Sequence, residues 1–111
     1  MAVPDEHLFD VEATNRRLQA DGGGYEVVHA SPGLEVGVYV LVAPEPDTQE
    51  PHDRDEVYVV LEGEGVLTVE GKELQLGPGD AAFVAAGDEH RFSRYERLVL
   101  FVLFDNTTKT E

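Results

Sequence analysis

From Gly24 onward the chain alternates short β-rich runs with turn signals, and this punctuation constrains the fold more than any other feature. Residues 25–30, 34–42, 57–61, 65–69, 73–76, 81–85, 90–93 and 98–104 are rich in β-branched, aromatic and other apolar side chains. Between them lie Pro44 and Pro46, Gly63 and Gly65, the Glu70-Gly71 pair, Gly77-Pro78-Gly79-Asp80, and Gly87-Asp88. Glycine, proline and aspartate at these points favour tight turns. Many short strands without intervening helices imply a sandwich or barrel, not an alternating βαβ fold. The run 98–104 is apolar on both faces, so its outer face needs cover as well, which a second copy of the chain would supply. A homodimer is expected on that ground.

Ahead of the strands, residues 5–20 carry a helical pattern. Leu8, Val11 and Leu18 are apolar, with acids early and Arg16 and Arg17 late, in the order that complements a helix dipole. Gly22, Gly23 and Gly24 end it. The expected organisation is a helix and glycine-rich link over 1–24, a β domain over 25–105 and a polar tail over 106–111.

With 111 residues, one domain accounts for the chain. The absence of cysteine excludes disulfides, thiolate metal sites and cysteine nucleophiles, so any metal must sit on nitrogen and oxygen. Acidic residues outnumber basic ones 23 to 8, for a net charge of -15. Such a surface repels phosphate backbones and anionic lipid, so neither nucleic acid nor membrane is an expected partner. No apolar run approaches the ~18 residues of a membrane span, and the N-terminus lacks a signal-peptide pattern, which points to the cytoplasm.

Chemistry concentrates in two stretches. In the first, Gln49-Glu50-Pro51-His52-Asp53-Arg54-Asp55-Glu56, His52 precedes Glu56 by four positions and Glu56 precedes Gly63 by seven. In the second, Gly79, Gly87 and His90 recur at fixed spacing. Together they resemble the two motifs of the cupin superfamily, with a glycine-turned hairpin between them. The first family motif is His-x-His, three or four residues, Glu, six residues, Gly. The second is Gly, five residues, Pro-x-Gly, two residues, His, three residues, Asn. The chain departs at Glu50, which stands where the first histidine belongs, and at Ala85 and Arg94, which replace the proline and asparagine. The resemblance implies a double-stranded β-helix, or jelly-roll barrel, holding one divalent metal ion. Its ligands would be His52, Glu56 and His90, with Glu50 as fourth ligand or nearby base and Gln49 in reserve.

Strand alternation bears on the same residues. If the segment stays extended, Glu50, His52 and Glu56 share a face with Tyr58 and Val60, and Val36, Val38 and Val40 join them by their own alternation. His90 and Phe92 likewise share a face. Polar groups buried there without partners cost about 1–3 kcal/mol each, a cost that a cation offsets. Two histidines and a carboxylate suit Fe(II) with open positions; Mn, Zn and Ni are also compatible. Tyr58 and Phe92 are the substrate-binding candidates. Tyr39 and Tyr95 read as core or interface, and Arg91, Arg94 and Arg97 as surface partners of the acidic excess.

The leading functional expectation is a metal-dependent small-molecule enzyme, with oxygenase or isomerase, lyase or cyclase chemistry. The alternative is a non-catalytic barrel binding a sugar or organic acid without an open metal position. A third reading, an interaction domain with a filled barrel, needs apolar side chains plugging the mouth.

Overall fold

The computed structural model describes residues 7–47 and 50–107. One helix, α1 (Val11–Ala20), precedes eight strands: β1 (Gly24–Ala30), β2 (Leu34–Val42), β3 (Glu56–Glu62), β4 (Gly65–Val69), β5 (Lys72–Leu76), β6 (Ala81–Val84), β7 (His90–Ser93) and β8 (Arg97–Asp105). They form two antiparallel sheets, ordered β1-β2-β8-β3-β6 and β5-β4-β7, the expected jelly-roll barrel. No helix among the described residues is long and apolar enough to cross a membrane.

The helix is shorter than the sequence pattern implied. Asp10 accepts a hydrogen bond from the Ala13 amide at 3.0 Å and so caps α1 just before Val11. Residues 7–10 are not helical, and 1–6 lie outside the described residues. At the other end the Gly23 amide reaches the Leu18 carbonyl at 2.8 Å, and Gly22 takes a positive φ of 88°.

Strand β8 is the spine of the larger sheet, paired with β2 along its whole length and with β3 on the other side. Its alternation splits the apolar residues between two cores. Leu98, Leu100, Val102 and Phe104 face inward and pack with Tyr58, Val60, Val84 and Leu41, and with Leu67 and Phe92 of the smaller sheet. Val99 faces outward with Val38 and Val40 and meets Leu18 of α1, with Val11 and Phe101 at the margin. The cover that β8 requires on this half of its outer face therefore comes from the chain's own helix.

This arrangement corrects the assignment of β2. Val38 pairs with Phe101 and Val40 with Val99, which puts Val36, Val38 and Val40 on the outer face. The residues directed inward are Glu35, Gly37, Tyr39 and Leu41. Alternation alone cannot tell the two faces apart when one strand is apolar on both.

The chain crosses from the larger sheet to the smaller between β3 and β4, after a bulge between Val60 and Glu62. Gly63 makes this corner with φ 85°, and a β-carbon there would collide with the carbonyl oxygen of Arg97. Gly71 also has a positive φ, 83°, but its surroundings are open. Gly63→Ala should therefore destabilise the barrel by about 3 kcal/mol or more, through strain and collision together. Gly71→Ala should cost only the backbone term, about 1 kcal/mol. Equilibrium urea unfolding of the two variants checks the difference; equal losses would contradict this account of the corner.

Candidate metal centre

Glu56 opens β3, and its register against Val84 and Phe104 points its side chain between the sheets. His90 opens β7 on the opposite sheet and is also buried. His52 belongs to neither: it sits in the irregular segment before β3. Two hydrogen bonds tie that segment to the turn before β7, from the Gly87 amide to the His52 carbonyl at 2.7 Å and from the Ala86 amide to Asp55 Oδ1 at 2.8 Å. The two sequence motifs are thereby stitched together, and the imidazole rings of His52 and His90 stand 5.2 Å apart.

Three side chains converge as a result. Glu56 Oε1 lies 3.5 Å from His90 Nε2 and 3.7 Å from His52 Nε2, and one ligand atom from each residue falls within 4.8 Å of the others. Two donors bound at right angles to one ion at about 2.1 Å stand roughly 3 Å apart, so a small inward movement satisfies a divalent ion. Both Glu56 oxygens and His90 Nε2 are buried without a well-formed hydrogen bond. His90 Nδ1 meets the Asp88 carbonyl at 3.0 Å. With the proton on Nδ1, that contact fixes the ring and leaves the Nε2 lone pair directed at Glu56.

The electrostatics agree with the geometry. Burial pushes the Glu56 carboxyl up to about 6, with the nearby Tyr58 hydroxyl and His90 pulling the other way. Burial, then the neighbouring His90 and Arg54, lower the His52 imidazole from its ordinary value. A neutral imidazole is the form that binds metal.

Glu50 is exposed and does not belong to this cluster. The extended geometry that would have aligned it with His52 and Glu56 begins only at Glu56, so the alternation argument does not reach it. Gln49 lies outside the described residues. Tyr58 is buried beside the centre, 6.0 Å from His90 between ring centroids. Phe92 stands edge-on to Tyr58 at 4.8 Å but is a core residue, backing Tyr58 without reaching the cavity described next.

A cavity of about 230 Å³ opens onto His52 and Glu56, walled by Tyr25, Glu35, Tyr39, Arg54, Tyr58 and Phe104. Several of these carried no motif. Tyr39, read from sequence as core or interface, is a wall residue that donates to Asp47 at 3.1 Å. Asp47 is a buried carboxylate that also accepts the Phe92 amide at 2.8 Å, fixing the loop after β2 to β7. The inward faces of β1 and β2 were the missing signal, since Tyr25 pairs with Tyr39 and both follow from the register. Arg94 and Arg97 pair at the surface with Glu73 at 3.5 Å and Glu62 at 3.1 Å.

Comparison with known proteins agrees with this architecture. Residues 37–104 match the family described as the cupin domain. An uncharacterised protein of Streptomyces coelicolor is 33% identical over 97 residues, covering 86% of this chain and 92% of its own length. Among solved structures, the DMSP lyase DddQ from Ruegeria pomeroyi is similar with a TM-score of 0.71 and 26% identity, over 83% of this chain and 51% of the lyase. The chain thus spans about half of that lyase. KdgF from a Halomonas species superposes with a TM-score of 0.68 at 22% identity, over 78% of this chain and 80% of KdgF. A salicylate 1,2-dioxygenase variant from Pseudoaminobacter salicylatoxidans, in complex with gentisate, gives 0.77 at 19% identity, over 86% of this chain and 32% of the dioxygenase. At those last two identities the likeness is one of fold. With the family match spanning both motifs and the strands between them, the chain belongs to the cupin family.

Proposed function

We propose that the chain is a metal-dependent enzyme acting on a small molecule, with His52, Glu56 and His90 holding one divalent ion. The convergence of three ligand atoms within 4.8 Å carries this reading: the Glu56 carboxylate oxygens and His90 Nε2 are buried without a well-formed hydrogen bond, and His52 stands at the cavity wall. The ion, whether Fe, Mn, Zn or Ni, would supply Lewis acidity, or redox chemistry in the case of iron. The residues of the chain do the rest. Glu56 brings the negative charge, His90 is oriented by the Asp88 carbonyl, and His52 closes the cluster on the cavity side. The cavity gives a substrate access to that side, which a plugged barrel would not.

The similarity to a lyase supports enzyme chemistry of the lyase kind, and the two-histidine, one-carboxylate donor set suits oxygenase chemistry equally. A non-catalytic binder of a sugar or organic acid is the competing reading; the open cavity against the ligands favours turnover over storage. A homodimer is retained as part of the proposal. The outer row Leu103, Val57 and Phe83 lies beyond the reach of α1, and Phe83 is 59% exposed.

Elemental analysis of protein purified without tag or chelator should find close to one metal per chain. His90→Ala and His52→Ala should lose it while remaining folded by circular dichroism, and Glu50→Gln should keep it. Undiminished metal in the His90 variant would sink the ligand assignment. Loaded protein should then show oxygen uptake or substrate loss against a metabolite panel; inactivity throughout would favour the binding reading.

A third expectation concerns stability. A carboxyl whose folded pKa exceeds its unfolded value stabilises the fold fully only below the unfolded value, 4.5 for Glu56, and that contribution is lost as pH rises through about 6. The metal-free barrel at pH 8 therefore carries a penalty on the order of 2 kcal/mol at Glu56. Metal-free Glu56→Gln should be more stable than metal-free wild type at pH 8 by that order, and equal to it near pH 4. Saturating metal should reverse the ranking at pH 8, because only the wild type gains binding energy. Thermal melts with and without chelator read all three comparisons.

A further inference from the structure

The cavity beside the metal centre has a wall that the cupin motifs do not define. Tyr25 of β1 lies across Gly37 of β2, where any β-carbon would collide with its ring. From there its hydroxyl donates to Glu35 Oε2 at 2.9 Å. The other oxygen of Glu35 takes Arg54 Nη1 at 3.1 Å, and the same nitrogen donates to Asn106 Oδ1 at 2.8 Å. The guanidinium stacks on Phe104, with its carbon 4.4 Å from the ring centroid. Arg54 is thus held from three sides with only 18% of its side chain exposed.

Apart from His52 and from Tyr58, whose hydroxyl is hydrogen-bonded to Glu56, the cavity wall has few donors. Tyr25 directs its hydrogen to Glu35 and Tyr39 directs its own to Asp47, so both phenol oxygens face a ligand as acceptors. Val102 and Phe104 offer none. Both hydrogen bonds of Arg54 to described residues leave through Nη1, which keeps the Nη2 hydrogens available. Among the described residues Arg54 is also the only lysine or arginine on the wall. Charge points the same way. Glu35 and Arg54 cancel, and Glu56 neutralises half of a divalent ion, so the loaded cavity carries one net positive charge inside a protein of net charge -15. A volume of 230 Å³ lies below the usual range of about 300–1,000 Å³ for pockets that take drug-sized ligands.

We infer that this cavity takes a small, singly charged organic acid, and that Arg54 pairs with its carboxylate while Glu35, Tyr25 and Phe104 hold the guanidinium in place. The inference rests on the proposed metal centre for the full charge balance, but the role of Arg54 is separable from it. A pre-oriented guanidinium discriminates a carboxylate from its neutral amide because each charge-assisted hydrogen bond is worth about 1.5–3 kcal/mol.

The aromatic wall makes benzoate and benzamide a suitable pair of probes, titrated calorimetrically into wild type, Arg54→Gln and Glu35→Gln, with metal content measured on each sample. Any preference for benzoate arising from the ion itself is common to all three proteins. The ratio of benzoate to benzamide affinity should fall at least about tenfold in Arg54→Gln, the loss of one such bond. It should rise in Glu35→Gln, which keeps a hydrogen-bonding group for Tyr25 and Arg54 but frees the guanidinium of its counter-charge. An unchanged ratio in Arg54→Gln, or no benzoate binding by any of the three, overturns the inference. If Arg54→Gln fails to fold, Glu35→Gln decides, and a ratio that does not rise is the contrary result. A wild type that takes up no metal overturns the metal centre instead, while the ratios across the variants still settle Arg54.

Discussion

The unmet bonding demand of Glu56 and His90 is the constraint on which the rest of the barrel turns. A carboxylate and an imidazole face each other in the interior at 3.5 Å, and both carboxylate oxygens and the facing Nε2 are buried without a well-formed hydrogen bond. Folding alone does not recover that cost, since a buried polar group without a partner loses its hydration outright. Apolar replacements would give a more stable barrel. That the chain retains these groups at the meeting point of its two sheets is the mark of a site kept at the expense of stability.

The architecture serves that meeting point. Glu56 belongs to the larger sheet and His90 to the smaller, so the centre exists only if the sheets close on each other. The inner core of Leu98, Leu100, Val102, Leu67 and Phe92 drives that closure. A second core under α1 covers part of the outer face of β8, leaving its inner residues free to build the cavity wall. His52 arrives by a different route, carried in by an irregular segment pinned to the turn before β7. The two strand-borne side chains and the one on a loop have different exposures: the His52 side chain is 30% accessible and borders the cavity, while those of Glu56 and His90 are enclosed.

Much of this was legible in the residues. Turn chemistry marked the strands to within a residue or two, and the spacing of His52, Glu56 and His90 named the cluster that the fold assembles. Four things were not legible, each for a physical reason. Asp10 starts the helix later than its apolar periodicity suggests, because a side-chain cap overrides a weak pattern. Val38 and Val40 took the outer face because β8 is apolar on both sides and gives its neighbour no preferred face. Glu50 stayed outside the cluster because alternation holds only within a strand, and the chain is not yet a strand there. The Tyr25–Glu35–Arg54 wall could not be read at all, since it depends on the pairing of β1 with β2 and on the space above Gly37.

The central claim is that one divalent ion sits on two imidazoles and one carboxylate between the sheets. X-ray absorption at the edge of whichever metal co-purifies tests it most directly. The account predicts a first shell of nitrogen and oxygen near 2.0–2.2 Å, with the outer-shell scattering of two imidazole rings, reduced to one ring in His52→Ala wherever residual metal remains. A shell of oxygen alone, or imidazole scattering that is identical in the variant, would place the metal elsewhere and contradict it.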